Sequence, residues 1–163
     1  MRTGIGYDIH RLVKGRKLFL GGEEIEYTKG LEGNSDADVL LHSVCDAMLG
    51  AASLGDIGRH FPDTGDEYTG ISSMFLLESV AVKIKDEGFE VNNLDITLIC
   101  EKPNISGYIE KMRENISGAL RIPAHDVNIK ATTNEKMGPV GKGEAIASLA
   151  VVTIIPTSDY ERI

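Results

Sequence analysis

Positive charge is scarce in this sequence. Seventeen Lys and Arg stand against 25 Asp and Glu, a formal net charge of −8. A surface of that sign repels nucleic acid and anionic membranes, so neither is an expected partner. No apolar stretch approaches the roughly 20 residues that a membrane span needs. The start, Met1-Arg2-Thr3-Gly4, has neither the apolar region of a secretion signal nor the Arg/Ser bias of a transit peptide. Cysteine is rare too. Cys45 and Cys100 form no CxxC pair and are too few for a disulfide framework, which fits a reducing compartment. The expectation is a cytoplasmic protein. Internal repeats, low-complexity tracts and Pro/Ser-rich linkers are absent. With 42% hydrophobic and 26% charged residues, 163 residues suit a single domain over 1–163. Common catalytic signatures are missing as well. Gly138, Gly141 and Gly143 match neither a Walker motif nor GxGxxG, and there is no Gly-x-Ser-x-Gly and no Ser/His/Asp order.

What is present alternates between strand and helix signals. Residues 2–10 read as a strand rich in small residues, Lys17–Leu20 as a short second strand, and Glu24–Tyr27 as a third after the Gly21-Gly22 turn. Ser35–Ala52 reads as a helix, with Ser35 as its cap, Asp38 as a capping-box partner and an apolar stripe through Leu40, Leu41, Val44, Met48 and Leu49. Ser72–Glu87 reads as a helix ended by Gly88. Leu94–Cys100 is a strand, Ser106–Leu120 a third helix, Val127–Thr132 a strand and Ala145–Ile155 a last strand. This order predicts an α+β (α/β) sandwich, a mixed sheet with helices on one face. The last strand is so apolar that both its faces should be buried, and another subunit would have to cover the face the helices leave open.

Asp8 and His10 lie two apart on the first strand, so their side chains share a face. His42 follows on the first long helix. Asp, His and His is a set zinc accepts, with a fourth position left for water or substrate. Asp46, one turn beyond His42, can accept from an imidazole N–H, or can simply be a solvated carboxylate. Cys45 can close the site as a fourth ligand, although a small core residue is the better reading. Ser35-Asp36-Ala37-Asp38 can cap a helix whose N-terminus also faces an anion. Asp56-Ile57-Gly58 can hold a ribose diol. The polar stretch 61–70 reads as a lid or an ordinary loop. Thr132-Thr133-Asn134-Glu135-Lys136, at a strand end, offers hydroxyls, a carboxylate and an ammonium to phosphate oxygens and Mg²⁺. His60 and His125 read as surface residues, and Cys100 as core.

Taken together, Gly6-Tyr7-Asp8-Ile9-His10, the run from Ser35 to Ala52, Gly55-Asp56-Ile57-Gly58, Phe61-Pro62-Asp63-Thr64 and Lys130 to Lys136 resemble the 2-C-methyl-D-erythritol 2,4-cyclodiphosphate synthase family, from about Arg2 to Ile155. The resemblance implies that Asp8, His10 and His42 hold Zn²⁺ and that Glu135 is the protein ligand of a Mg²⁺ or Mn²⁺ between the two phosphates of a cytidine diphosphate substrate. It implies that Asp56, Ile57 and Gly58 hold the ribose. Cys100, Glu101, Lys102, Pro103, Asn104, Ile105 and Ser106 would form a cytosine pocket. Thr132, Thr133 and Asn134 would contact the diphosphate. Phe61, Pro62, Asp63, Thr64 and Gly65 would cover the erythritol part, with Asn34 and Ser35 beside it. Asn34 and Thr133 are the residues it marks as catalytic. The implied reaction is attack of the substrate's 2-phosphate on the β-phosphorus of its own cytidine diphosphate, releasing CMP, in non-mevalonate isoprenoid synthesis. It implies a homotrimer with active sites between subunits.

Some positions depart from the pattern. Asn34 stands where most members have His. Pro139, Lys142 and Leu149 stand where some have Phe, Arg and an acid around a central cavity linked with isoprenoid diphosphates. Two other readings compete. One is a zinc phosphoesterase using metal-bound water. The other is a non-enzymatic oligomeric domain with a structural metal closed by Cys45.

Overall fold

The computed structural model describes residues 1–62 and 70–157. Strand β1 (Arg2–Lys14) pairs antiparallel with β4 (Lys29–Leu31) at one end and with β7 (Ala145–Pro156) along most of its length. β7 pairs antiparallel with β5 (Phe89–Ile99), and β5 runs parallel to β6 (Val127–Thr132). The sheet order is β4-β1-β7-β5-β6, a mixed sheet as expected. β2 (Leu18–Leu20) and β3 (Glu23–Ile25) form a separate hairpin. The helices are α1 (Val39–Ala52), α2 (Ile57–His60), α3 (Ser73–Asp86), α4 (Ile109–Leu120) and α5 (Gly138–Gly141).

Helix α1 is the centre of the molecule. Apart from His42, Asp46 and Gly50, each of its residues is buried, the pattern of a helix with protein on all sides. β1 lets it approach closely because Gly4 and Gly6 carry no Cβ. A Cβ at Gly4 would lie 1.9 Å from Ala47 O, and one at Gly6 the same distance from Ser43 O. The next residues on that face of β1 are Asp8 and His10, so the small-residue run that docks the helix also aims the two polar side chains at it. Ser43 Oγ, 2.8 Å from Ser148 Oγ of β7, fixes the helix against the neighbouring strand.

The opposite face of the sheet is only partly covered. Across β1 and β7 the registers Ile5↔Val151 and Tyr7↔Leu149 set apolar side chains side by side, with Ile5 68% and Tyr7 56% exposed. Toward β6 the same face turns polar, with Lys130 2.5 Å from Asp95. The expectation that β7 is buried on both faces therefore fails within one chain, because period-2 alternation leaves Leu149 and Val151 open.

Two other expectations are corrected. Ser35 does not cap α1, because Ala37 takes φ +57°, outside the helical region. Asp38 is the cap, accepting from Leu41 N at 3.1 Å, while Ser35 Oγ accepts from Ala37 N. Asp38 also accepts from Gly21 N and Gly22 N, both glycines at positive φ, and so ties the β2–β3 turn to the helix start. The segment 106–120 opens as a 3₁₀ turn at Ser106–Tyr108 and becomes α-helical at Ile109. β4, α2 and α5 are too short to leave a periodic signal.

Candidate metal centre and substrate cavity

Asp8, His10 and His42 converge, with one ligand atom of each within 4.8 Å of the others. Asp8 Oδ2 lies 2.8 Å from His10 Nε2 and 3.1 Å from His42 Nδ1, and the two nitrogens are 3.3 Å apart. His10 Nδ1 faces Glu32 O at 2.6 Å. A carbonyl only accepts, so Nδ1 carries the proton and neutral His10 turns a bare Nε2 lone pair inward. A bare nitrogen and a carboxylate oxygen at 2.8 Å repel unless a proton or a metal ion lies between them. The donor set fits a divalent metal such as zinc, with two imidazoles, one carboxylate and an open side.

The same contacts shift proton binding at Asp8 and His10. Burial pushes the Asp8 carboxyl up, but the His10 and His42 hydrogen bonds and charges outweigh it and hold the group well below the usual carboxylate range. Burial works against charge on His10. The Asp8 hydrogen bond and charge, with the Glu32 carbonyl, outweigh that and raise its pKa.

Around this centre is a cavity of about 350 Å³, lined by Asp8, His10, Asn34, Ser35, His42, Ile57, Gly58 and Phe61, with Asp46, Ile71 and Leu76. Asp56 stands beside it, capping α2 through Arg59 N at 2.9 Å. Asp46 does not serve His42 as expected. Its Oδ1 accepts from Ile57 N at 2.8 Å, which holds α2 against α1 and sets Ile57 and Gly58 at the rim. Burial pushes its carboxyl up, the Ile57 amide pulls it back, and the Asp56 and Asp8 charges push it further up. Pro62 follows on the exposed side. Asp63, Thr64 and Gly65 lie outside the described residues.

The remaining expected site residues are elsewhere. Cys100 N donates to Thr132 O at 2.9 Å, and Glu101 Oε1 accepts from Asn134 N and Lys136 N at 3.0 and 3.1 Å. Glu101 thereby stitches the 100–106 loop to the 132–136 loop. Asn104 Oδ1 accepts from Ser106 N, and Thr133 Oγ1 donates to Glu135 Oε1 at 3.0 Å. Lys102 is exposed, Pro103 half-buried and Ile105 buried in the core. Cys100 is buried as expected. Burial pushes its thiol up to about 11, and Sγ donates to Lys102 O at 2.9 Å. Thr132, Thr133 and Glu135 are exposed, as are Pro139 and Lys142 at α5. This second cluster is at the far edge of the sheet. One row of partners runs Asp8–Ser148–Leu98–Ala131, three strand spacings, or about 14 Å at the usual interstrand distance. The two clusters therefore lie apart within one chain.

A family model described as the YgbB family matches residues 1–155. The chain belongs to the YgbB family. Among curated relatives, a protein of Lachnospira eligens named 2-C-methyl-D-erythritol 2,4-cyclodiphosphate synthase is 55% identical over 160 residues, covering 98% of this chain and 87% of the relative. One of the same name from Alkaliphilus oremlandii is 55% identical, covering 95% and 99%. Among solved structures, the bifunctional IspDF of Campylobacter jejuni is similar with TM-score 0.91 and 41% identity over 94% of this chain and 42% of that one. The IspF of Plasmodium falciparum, solved as a CDP complex, has TM-score 0.84 and 32% identity over 96% of this chain and 97% of that one.

Within this YgbB-family chain the structure also disposes of Cys45 as a metal ligand. It is fully buried among core side chains, and burial drives its thiol pKa far up. His60 is not a plain surface residue, since its ring donates to Leu54 O at 2.9 Å, whereas His125 is exposed. Sequence reasoning missed Ser73, whose Oγ lies 3.0 Å from His42 Nε2 and donates to Asp36 Oδ1. The available signal was the pair Ser72-Ser73 at a helix start. Ser72 caps α3 through Met74 N, which leaves the second hydroxyl without a capping role.

Proposed function

We propose that the chain is a 2-C-methyl-D-erythritol 2,4-cyclodiphosphate synthase, converting 4-diphosphocytidyl-2-C-methyl-D-erythritol 2-phosphate to the cyclic diphosphate and CMP as a phosphorus–oxygen lyase. The observation that carries it is the Asp8–His10–His42 cluster opening into a cavity, in a chain 55% identical to relatives of that name. An oxygen of the 2-phosphate bonds to the β-phosphorus. The bond from the β-phosphorus to the bridging oxygen breaks, and CMP leaves with that oxygen and the electron pair. The attacking phosphate is already ionised at neutral pH, so the absence of an activated serine or general base is consistent.

The chain's own residues position and neutralise. Asp8, His10 and His42 would hold Zn²⁺, and Glu135, a single exposed carboxylate, would hold a Mg²⁺ or Mn²⁺ as a hard oxygen ligand. When bound, the two ions offset phosphate charge and orient the reacting oxygens. Asn34 and Ser35 would donate to the phosphate beside the cavity. Asp56 and the 57–58 backbone would take the ribose, the 100–106 loop the cytosine, and Thr132, Thr133 and Asn134 the diphosphate. The erythritol part would lie against Phe61 and Pro62, with Asp63, Thr64 and Gly65 beyond them. Because the two clusters stand three strands apart in one chain, a complete site would form from two half-sites, between neighbouring subunits of a homotrimer. The net charge of −8 then makes sense: acidic side chains recruit cations, and the cations recruit phosphate.

The test supplies the diphosphocytidyl substrate and follows products by ³¹P NMR. A cyclic diphosphate with CMP is expected. Release of inorganic phosphate by metal-bound water would instead favour a phosphoesterase. Elemental analysis should find about one zinc per chain, lost in His42→Ala. Full zinc in that variant would refute the ligand set.

A further inference from the structure

We infer that Asp36 and Ser73 are positioning residues for the metal centre, forming a carboxylate–hydroxyl–imidazole relay that sets the tautomer of His42. The inference rests on the metal-site reading above and goes beyond its three ligands. His10 and His42 are oriented by different means. A backbone carbonyl holds His10. His42 Nε2 instead faces two hydroxyls, Ser73 Oγ at 3.0 Å and Ser35 Oγ at 3.4 Å. A hydroxyl can sit on either side of a hydrogen bond, so the geometry of His42 alone does not say which nitrogen carries the proton.

Asp36 decides it. Its Oδ1 lies within hydrogen-bond distance of Ser73 Oγ, and its Oδ2 accepts from Ser73 N at 3.0 Å. A carboxylate cannot donate, so the single Ser73 proton goes to Asp36. Ser73 then shows His42 only a lone pair. Nε2 must carry a proton to meet it at 3.0 Å, which leaves Nδ1 bare, 3.1 Å from Asp8 Oδ2 and 3.3 Å from His10 Nε2. Nδ1 is the nitrogen that faces the other two ligands. Were Ser35 to donate to Nε2 instead, the Ser73 lone pair would face the Nε2 lone pair at the shorter distance. The relay is also built into the frame. Ser73 is fully buried at the first turn of α3, and Asp36 N is bound to Ile71 O at 3.1 Å, so neither end can swing away.

Outer partners of this kind typically change metal affinity by about 10- to 100-fold when removed. The experiment measures zinc affinity of the whole protein by competition with a chromophoric chelator, for the parent, Ser73→Ala, Ser73→Thr and Asp36→Asn. The His42 tautomer is read in parallel, zinc-free, from long-range ¹⁵N–¹H correlations of histidine-labelled protein. Ser73→Ala should weaken zinc by about 10- to 100-fold. Ser73→Thr should restore most of the affinity, because the hydroxyl returns. Asp36→Asn should weaken zinc and move His42 away from the Nε2–H form, since an amide that donates to Ser73 turns the hydroxyl proton toward the ring. A merely structural role would lower the melting temperature in Ser73→Ala and Asp36→Asn without shifting the tautomer. Parental zinc affinity in Ser73→Ala, or an unchanged tautomer in Asp36→Asn, overturns the relay. Neither readout uses turnover. A protein that binds zinc and forms no cyclic product would overturn the proposed reaction alone, and one whose parent form binds no zinc would overturn the relay together with the metal centre.

Discussion

Among single residues, Asn34 is the most informative to change. It lines the cavity and is exposed, and its backbone carbonyl accepts from Gly70 N at 2.7 Å, so the backbone here is anchored, while among the described residues no hydrogen bond holds the side chain. An amide donates without charge, and charge-assisted hydrogen bonds are roughly twice as strong as neutral ones. Replacing Asn34 by His should therefore speed the reaction, by about 1–2 kcal/mol of transition-state stabilisation or roughly tenfold, most clearly at lower pH where the imidazole is protonated. Asn34→Ala should be slower than the parent. Equal kcat/KM for all three proteins from about pH 6 to 8, the span over which an ordinary His titrates, would leave position 34 without a catalytic role. Glu135 is tested differently. Glu135→Gln should keep its zinc yet need more Mg²⁺ or Mn²⁺ for turnover, and an unchanged metal titration would remove it from the second ion. Asp8, His10 and His42 were legible in the sequence because period-2 spacing and one helix suffice to aim them. Asp36 and Ser73 were not, because a loop and the first turn of α3 meet only through tertiary packing, and no local spacing encodes that contact.

At the level of elements, the contact between β1 and α1 carries the site. A methyl group at Gly6 would collide with Ser43 O, a backbone atom inside a buried helix, so relief requires α1 to shift bodily and carry His42 away from Asp8. Gly6→Ala should cost about 1–3 kcal/mol or more by overpacking. At about 2–4 °C per kcal/mol for a chain of this size, that is a clear drop in melting temperature, and it should weaken zinc binding as well. Gly50→Ala is the control. It sits in the same helix on the exposed side with nothing within 4 Å of an added Cβ, and should be neutral or stabilising by up to about 1 kcal/mol. A Gly6→Ala protein that melts with the parent would disprove the close-approach argument. Helix α1 itself was readable from its apolar run, but its start was not. Ser35 has the chemistry of a cap, yet the left-handed turn at Ala37 delays the helix until Asp38, whose carboxylate also collects the Gly21 and Gly22 amides from a hairpin distant in sequence. A cap that serves two elements at once cannot be told from a local one by spacing alone.

For the whole molecule, two features call for a neighbour: the distance between the Asp8–His10–His42 cavity and the 132–135 loop, and the apolar half of the sheet face left open. Ile5, Tyr7 and Ile9 on β1 and Leu149 and Val151 on β7 form one exposed apolar surface, an arrangement more typical of an interface than of a free face. A closed ring of three chains joined head to tail would bury that surface and could set the Asp8–His10–His42 cavity of one chain against the Thr132–Glu135 loop of the next, since a heterologous contact pairs two different patches. Light scattering coupled to size exclusion should show a trimer, and a monomer at micromolar concentration would end the idea. Complementation tests the stronger claim that the site is shared. His42→Ala removes one half-site, Glu135→Ala the other, and each variant alone should be nearly inactive. In trimers assembled from an equal mixture, a site is intact when its cavity comes from a Glu135→Ala chain and its loop from a His42→Ala chain. Each condition holds half the time, so mixing should restore about a quarter of parental activity in a head-to-tail ring. A site contained within one chain would restore none, because every chain in the mixture carries a broken copy. Recovered activity would therefore require the cavity and the loop to act across the boundary between subunits.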